Sequence, residues 1–168
     1  SYASTAFVGW YNGHPDFQDL TFDFSSEIAV VIGQGNVAMD VCRILLKTVD
    51  ELKNTDITQN ALDALAGSKI REVHCFGRRG PVQAAFTPVE IREFGELADC
   101  YTVINPKHFE LNEASKIELE DPTNVVRKKN FEILQELSKM TPDPEGKKKK
   151  FVLHFCNSPL EMRGKGRV

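Results

Sequence analysis

Ile28-Ala29-Val30-Val31-Ile32-Gly33-Gln34-Gly35-Asn36-Val37-Ala38 spells out a strand, a glycine turn and the start of a helix. Its first five residues are an apolar run of strand type, and beyond the glycines Val37, Val41, Ile44 and Leu45 repeat at helical spacing. Strand, glycine turn and helix in that order form a phosphate loop. Gly33 lets the chain turn tightly out of the strand. Gly35, lacking a Cβ, lets backbone amides at the helix N-terminus approach a pyrophosphate. Ala38 stands where the fingerprint has its third glycine, a replacement the pattern tolerates. Gly33, Gln34, Gly35, Asn36 and Val37 are therefore candidate cofactor-binding residues.

A second element selects the dinucleotide. The strand-like Val73-His74-Cys75-Phe76 runs into Gly77-Arg78-Arg79-Gly80-Pro81. An NAD site carries an acidic side chain near this strand end for the ribose 2′-hydroxyl, and that carboxylate repels a 2′-phosphate. Arg78 and Arg79 instead offer forked donors, with charge-assisted bonds of roughly 1.5 to 3 kcal/mol each. The pair points to NADP(H). The interval between the two loops exceeds the usual ~20 residues, and the excess lies in residues 47 to 69, where Thr58 to Ala66 reads as a helix closed by Gly67. A glycine loop alone is a weak signal, and a methyltransferase-like domain holding adenosylmethionine is an alternative. Such a site would want an acid where the two arginines stand.

With 168 residues, 41% hydrophobic and 27% charged, the chain has the make-up of one globular domain with a buried core. A net charge of -3 gives no global field for nucleic acid, and no apolar run reaches the length of a membrane span. Cys42, Cys75, Cys100 and Cys156 lack CxxC spacing and read as inert thiols, Cys75 and Cys156 within apolar strand runs. Such thiols suit a reducing compartment. The four histidines lack ligand spacing, so no metal is assigned.

Thr87-Pro88-Val89-Glu90 opens a helix in the manner of a capping box, with Glu90 reaching back. Asn124 to Met140 reads as a helix with Phe131, Leu134 and Leu137 on one face and Arg127-Lys128-Lys129 exposed near its start. Lys147 to Lys150 read as a loop before the strand-like Phe151-Val152-Leu153-His154-Phe155. Trp10 and Tyr11 read as core or hinge aromatics, with Asn12-Gly13 making a turn. Asp40 lies one helical turn beyond the glycine loop. Arg163-Gly164-Lys165-Gly166-Arg167 reads as a hairpin turn, so the chain is expected to be a piece of a longer protein.

Phe7-Val8-Gly9-Trp10-Tyr11-Asn12-Gly13, Val31-Ile32-Gly33-Gln34-Gly35-Asn36-Val37-Ala38 and Gly77-Arg78-Arg79-Gly80-Pro81, with Thr55-Asp56-Ile57-Thr58 and Phe86 to Glu93, closely resemble the adrenodoxin reductase family of ferredoxin-NADP reductases. The resemblance spans nearly the whole chain. It implies an α/β, three-layer, Rossmann-like NADP-binding domain of the glutathione reductase type, with a mainly parallel central sheet. Residues 1 to 168 would be that domain, residues 1 to 13 the inter-domain hinge, and the FAD-binding domain would lie outside the chain. The parent would pass electrons from NADPH through FAD to an iron-sulfur ferredoxin or adrenodoxin, in the mitochondrial matrix for members of that kind. This piece alone is expected to be inactive in electron transfer and to hold no flavin. The resemblance gives Glu90 a second role toward the NADP ribose and places Asp40 near the flavin, a weaker catalytic candidate. It assigns Arg92, Arg127, Lys128 and Lys129 to ferredoxin docking. Another two-domain flavoprotein, such as the reductase part of glutamate synthase, and a non-enzymatic nucleotide-binding fragment are the alternatives.

Overall fold

Four strands, Ile28–Ile32 (β1), Glu72–Phe76 (β2), Cys100–Ile104 (β3) and Lys149–His154 (β4), form a wholly parallel sheet in the order β1-β2-β4-β3. The computed structural model describes residues 1–139 and 146–164. The expected hairpin at 163–167 falls largely outside them. Seven α-helices occur among the described residues: Ser4–Tyr11 (α1), Asn36–Leu46 (α2), Val49–Leu52 (α3), Gln59–Ala66 (α4), Pro88–Arg92 (α5), Glu113–Glu120 (α6) and Val125–Lys139 (α7).

Side chains alternate across the pleat, which divides the sheet into two faces. Val31, Val73, Cys75, Phe151, Leu153, Cys100 and Ile104 point into a single core, where α2 packs over β1, β2 and β4 and α7 packs over β3. Phe151 stacks on Phe94 with ring centroids 4.1 Å apart. α2 is amphipathic: Val41 and Leu45 of the expected stripe are buried with Met39, Cys42 and Leu46, while Ile44 is partly buried and Val37 is exposed. α4 begins at Thr58, whose side chain caps Ala61 N–H, and ends at Gly67, as expected. α1 buries Phe7, Trp10 and Tyr11, and Phe22 and Phe24 join their aromatic cluster.

Two local expectations are corrected. β4 starts within the lysine run read as a loop, because Lys149 Nζ reaches back to the Leu45 and Lys47 carbonyls at the end of α2, at 3.1 and 3.2 Å. Its ammonium is thus a helix C-cap. Cys156 is exposed rather than buried in a strand, since β4 ends at His154 and the chain then turns with a positive φ of 57° at Cys156.

Among the described residues, helices cover one face of the sheet, so that two of the three expected layers are seen. The other face carries half-exposed Ile28, Val30 and Ile32 on the edge strand β1. Beside them runs a polar chain: Lys150 Nζ lies 2.8 Å from Glu72, Glu72 lies 3.2 Å from His74 Nε2, and His74 Nδ1 lies 2.9 Å from His154 Nε2. His154 also stacks on Phe76. Desolvation, then the charges of His74 and His108, hold His154 below its ordinary value of 6.5. The folded chain therefore binds fewer protons at this site than the unfolded chain. The neutral ring contributes stability that is complete above the unfolded value and is lost as pH falls through the depressed one. Denaturation midpoints should fall as pH drops below about 6.5, and fall less steeply in His154→Phe; equal slopes would remove His154 from the acid response.

Candidate dinucleotide site

The carboxyl ends of β1, β2 and β4 frame a cavity of about 520 Å³. Gly33, leaving β1, has φ +124°, a region open to glycine but strained for other residues. Its N–H donates to the Phe76 carbonyl at 2.8 Å, and its carbonyl accepts the Cys75 thiol at 3.1 Å. Gly35 is the N-cap of α2 and brings no side-chain cap, so the first-turn amides are not satisfied by a capping side chain. A Cβ on Gly35 would meet no protein atom within 4 Å. The open space in front of Gly35 is therefore cavity, where a ligand can approach the backbone.

Arg78 and Arg79 follow β2, line the cavity and are exposed. Among the described residues neither has a carboxylate within ion-pair distance. Two unpaired guanidinium groups beside an uncapped helix N-terminus form an anion-accepting rim.

Gln34 ties the loops together. Its side chain is buried, and Nε2 donates to the His154 carbonyl at 2.8 Å, the same carbonyl that accepts Gly77 N–H at 2.9 Å. A Cβ on Gly77 would sit 1.8 Å from Gln34 Oε1, so Gly77 is glycine because the Gln34 amide occupies that space. Gln34 lines the cavity as expected, yet its side-chain amide is committed to the protein. Asn36 is likewise engaged, its Oδ1 accepting from Thr87 N–H at 2.9 Å, while Val37 is exposed on the first turn of α2.

That contact alters the capping box expected at Thr87. Thr87 Oγ1 does accept Glu90 N–H, at 3.4 Å, but Asn36 takes the Thr87 amide that Glu90 was to hold. Glu90 turns instead toward Arg43, which also pairs with Glu93 at 2.5 Å and with Asp40. A complete capping box occurs elsewhere, between Thr48 and Glu51. Desolvation disfavours the Arg43 charge, but Glu93, Asp40 and Glu90 outweigh it and raise its pKa. Tyr11, pushed up to about 12 by burial and by Asp40, lies with Asp40 and Arg43 along a second groove. The structure thus gathers Asp40 and Glu90 about one guanidinium, separate from the arginine pair.

Of the basic residues expected at a docking surface, Arg92, Lys128 and Lys129 are exposed and Arg127 is partly buried. Arg127 pairs with Glu118, which also accepts from Gln83, and Lys129 lies 3.7 Å from Glu132. Composition and spacing did not single out Arg43 or the loop after β4. Asn157-Ser158-Pro159, a turn-type run directly after an apolar strand, was the available signal for the latter.

Fold and site together define a Rossmann-like α/β domain with its phosphate-type loop at the carboxyl edge of a parallel sheet. No protein-family model matches the chain. The NADPH-ferredoxin reductase FprA of Mycobacterium tuberculosis is 44% identical over 170 residues, covering 100% of this chain and 36% of that protein. The mitochondrial NADPH:adrenodoxin oxidoreductase of Arabidopsis thaliana is 42% identical over 155 residues, covering 92% of this chain and 32% of that protein. The solved structure of Mycobacterium tuberculosis FprA in complex with NADPH superimposes with a TM-score of 0.86 at 43% identity, covering 98% of this chain and 35% of that one. The chain is homologous to a segment of the NADPH-ferredoxin and adrenodoxin reductase family, and it spans about a third of the length of these relatives.

Proposed function

We propose that this chain is the NADP(H)-binding domain of an FAD-dependent NADPH-ferredoxin reductase. The observation that carries the reading is the rim itself: Arg78 and Arg79, free of carboxylates among the described residues, face the uncapped N-terminus of α2 across one cavity. Its residues fit a phosphorylated dinucleotide. The amides of Gly35 to Val37 would take the pyrophosphate, and the arginine pair the 2′-phosphate. Bound NADPH would supply a hydride, that is a proton and two electrons, to FAD held elsewhere in the parent, from which the electrons would go singly to an iron-sulfur ferredoxin or adrenodoxin and the proton to solvent. This chain's own task is to bind and orient the donor.

The longer parent is supported by the share of the relatives covered and by the apolar row Ile28, Val30 and Ile32 on the uncovered sheet face. In this reading residues 1 to 13 form the join to the FAD domain. Of the two carboxylates held by Arg43, Glu90 lies toward the NADP ribose and Asp40 toward the flavin of the parent. Arg92, Arg127, Lys128 and Lys129 meet an acidic ferredoxin, with the Arg127–Glu118 pair opening on contact. A mitochondrial matrix location follows the plant and animal relatives, while the mycobacterial ones are equally similar.

Titration with NADPH followed by its own fluorescence tests the reading: saturable binding by a flavin-free chain supports it, and a stoichiometric flavin spectrum or no binding overturns it. Gly35→Ala gives a second check. Because the new Cβ meets no protein atom, the denaturation midpoint should not change, whereas NADPH affinity should fall about tenfold or more through obstruction of the pyrophosphate. Unaltered affinity would place the pyrophosphate elsewhere.

A further inference from the structure

We propose that the loop Cys156-Asn157-Ser158 is a third recognition loop, positioning the arginine pair and thereby setting selectivity for NADP over NAD. The inference rests on the NADP site proposed above. The arginine loop is anchored chiefly by its neighbour: Cys156 N–H donates to the Arg79 carbonyl and Asn157 N–H to the Gly77 carbonyl, both at 3.0 Å. The two bonds bracket Arg78 and fix the backbone from which both guanidinium groups project. The first bond requires the chain to reverse directly after β4, which Cys156 achieves with a positive φ of 57°, the only non-glycine residue to do so among the described residues. Left-handed backbone at a non-glycine residue persists where the surroundings over-determine it, commonly at ligand clamps. Cys156 Sγ lies near Gly80, 3.9 Å from where a Cβ would stand. Asn157 and Ser158 then form the cavity wall beside the arginines. Gln83, on the same wall, is held by Ser115 and Glu118. The loop thus contacts the part of the site that distinguishes the two dinucleotides. The glycine loop, which would hold the shared pyrophosphate, lies at the end of β1.

Two substitutions at Cys156 separate positioning from bulk stability. Valine, β-branched, resists positive φ and should displace the 156–157 amides; glycine adopts it freely. The ratio of NADP to NAD affinity should fall about tenfold in Cys156→Val and stay within about twofold of the unaltered chain in Cys156→Gly. A ratio unchanged in Cys156→Val overturns the proposal. Should that variant fail to fold, the unaltered chain decides. Cys42, Cys75 and Cys100 are buried, leaving Cys156 as the exposed thiol among the described residues. Saturating NADP should slow its alkylation by N-ethylmaleimide several-fold, and saturating NAD should leave the rate nearly unchanged. Equal rates with both dinucleotides overturn the proposal. Absence of NADP binding by the unaltered chain removes the underlying site and this inference together, whereas selective binding with unresponsive Cys156 removes the inference alone.

Discussion

Replacing Arg78 and Arg79 together with alanine is expected to weaken NADP binding by about 100-fold or more while changing NAD binding by less than about threefold. The asymmetry follows from what the two side chains lack in the unliganded chain. Both are exposed and without carboxylate partners among the described residues, so their removal breaks no ion pair and should leave folding intact. A 2′-phosphate brings its charge into a region otherwise flanked by an uncapped helix N-terminus. Two charge-assisted contacts of roughly 1.5 to 3 kcal/mol each exceed the 100-fold mark if both form. NAD has no phosphate for them to meet. Equilibrium titration of both dinucleotides against the double variant checks this, and equal losses would take the 2′-phosphate away from the pair.

Gly77→Ala should damage binding and stability at once. The new Cβ would stand 1.8 Å from Oε1 and 2.1 Å from Cδ of Gln34, a buried side chain held on the His154 carbonyl. Gln34 must move, and its bond to β4 breaks with it. Overpacking of this kind costs about 1 to 3 kcal/mol. The strained loops join β1, β2 and β4 around the cavity, so dinucleotide affinity should fall about tenfold or more. The attribution is checked by a second change. Gln34→Ala removes the obstructing amide, so Gly77→Ala combined with Gln34→Ala should be more stable than Gly77→Ala alone, although Gln34→Ala by itself destabilises. Denaturant midpoints of the four chains measure the coupling. Additive losses would mean that the clash is relieved elsewhere.

The parts of the fold legible in the sequence were those governed by local periodicity and punctuation. β1 is a five-residue apolar run ended by Gly33, α2 carries apolar residues at helical spacing, and α4 has Thr58 before it and Gly67 after it. α7 emerged from Phe131, Leu134 and Leu137, all buried as expected. What stayed hidden depends on residues that only the fold brings together. Lys149 and Lys150 look like solvated charges in sequence, yet one caps α2 and the other pairs with Glu72 across the strand. Glu90 fits a capping box until Arg43, on a different helix, competes for its carboxylate and Asn36 accepts the Thr87 amide. Gln34 resembles a ligand-facing loop residue, but β2 and β4 supply the partners that bury it. At Cys156 the apolar run suggested a strand, and a single left-handed residue turned the chain toward the arginine loop.

The two motif loops read together in the sequence as one NADP site, Gly33-Gln34-Gly35 as its phosphate turn and Gly77-Arg78-Arg79 as its selector. Parallel pairing of Ile32 with Phe76 places them side by side on one cavity. Long-range register is the physical basis of that single site. Salt should weaken its occupancy, because the proposed contacts to the 2′-phosphate are between charges at an exposed rim.

Calorimetric titration of the unaltered chain with NADP, NAD and adenosylmethionine, at low and moderate salt, distinguishes an NADP site from any other use of the glycine loop. One site for NADP is expected, weakened by salt, with NAD far weaker and no heat from adenosylmethionine. Equal affinity for NADP and NAD, or preferential binding of adenosylmethionine, would contradict it.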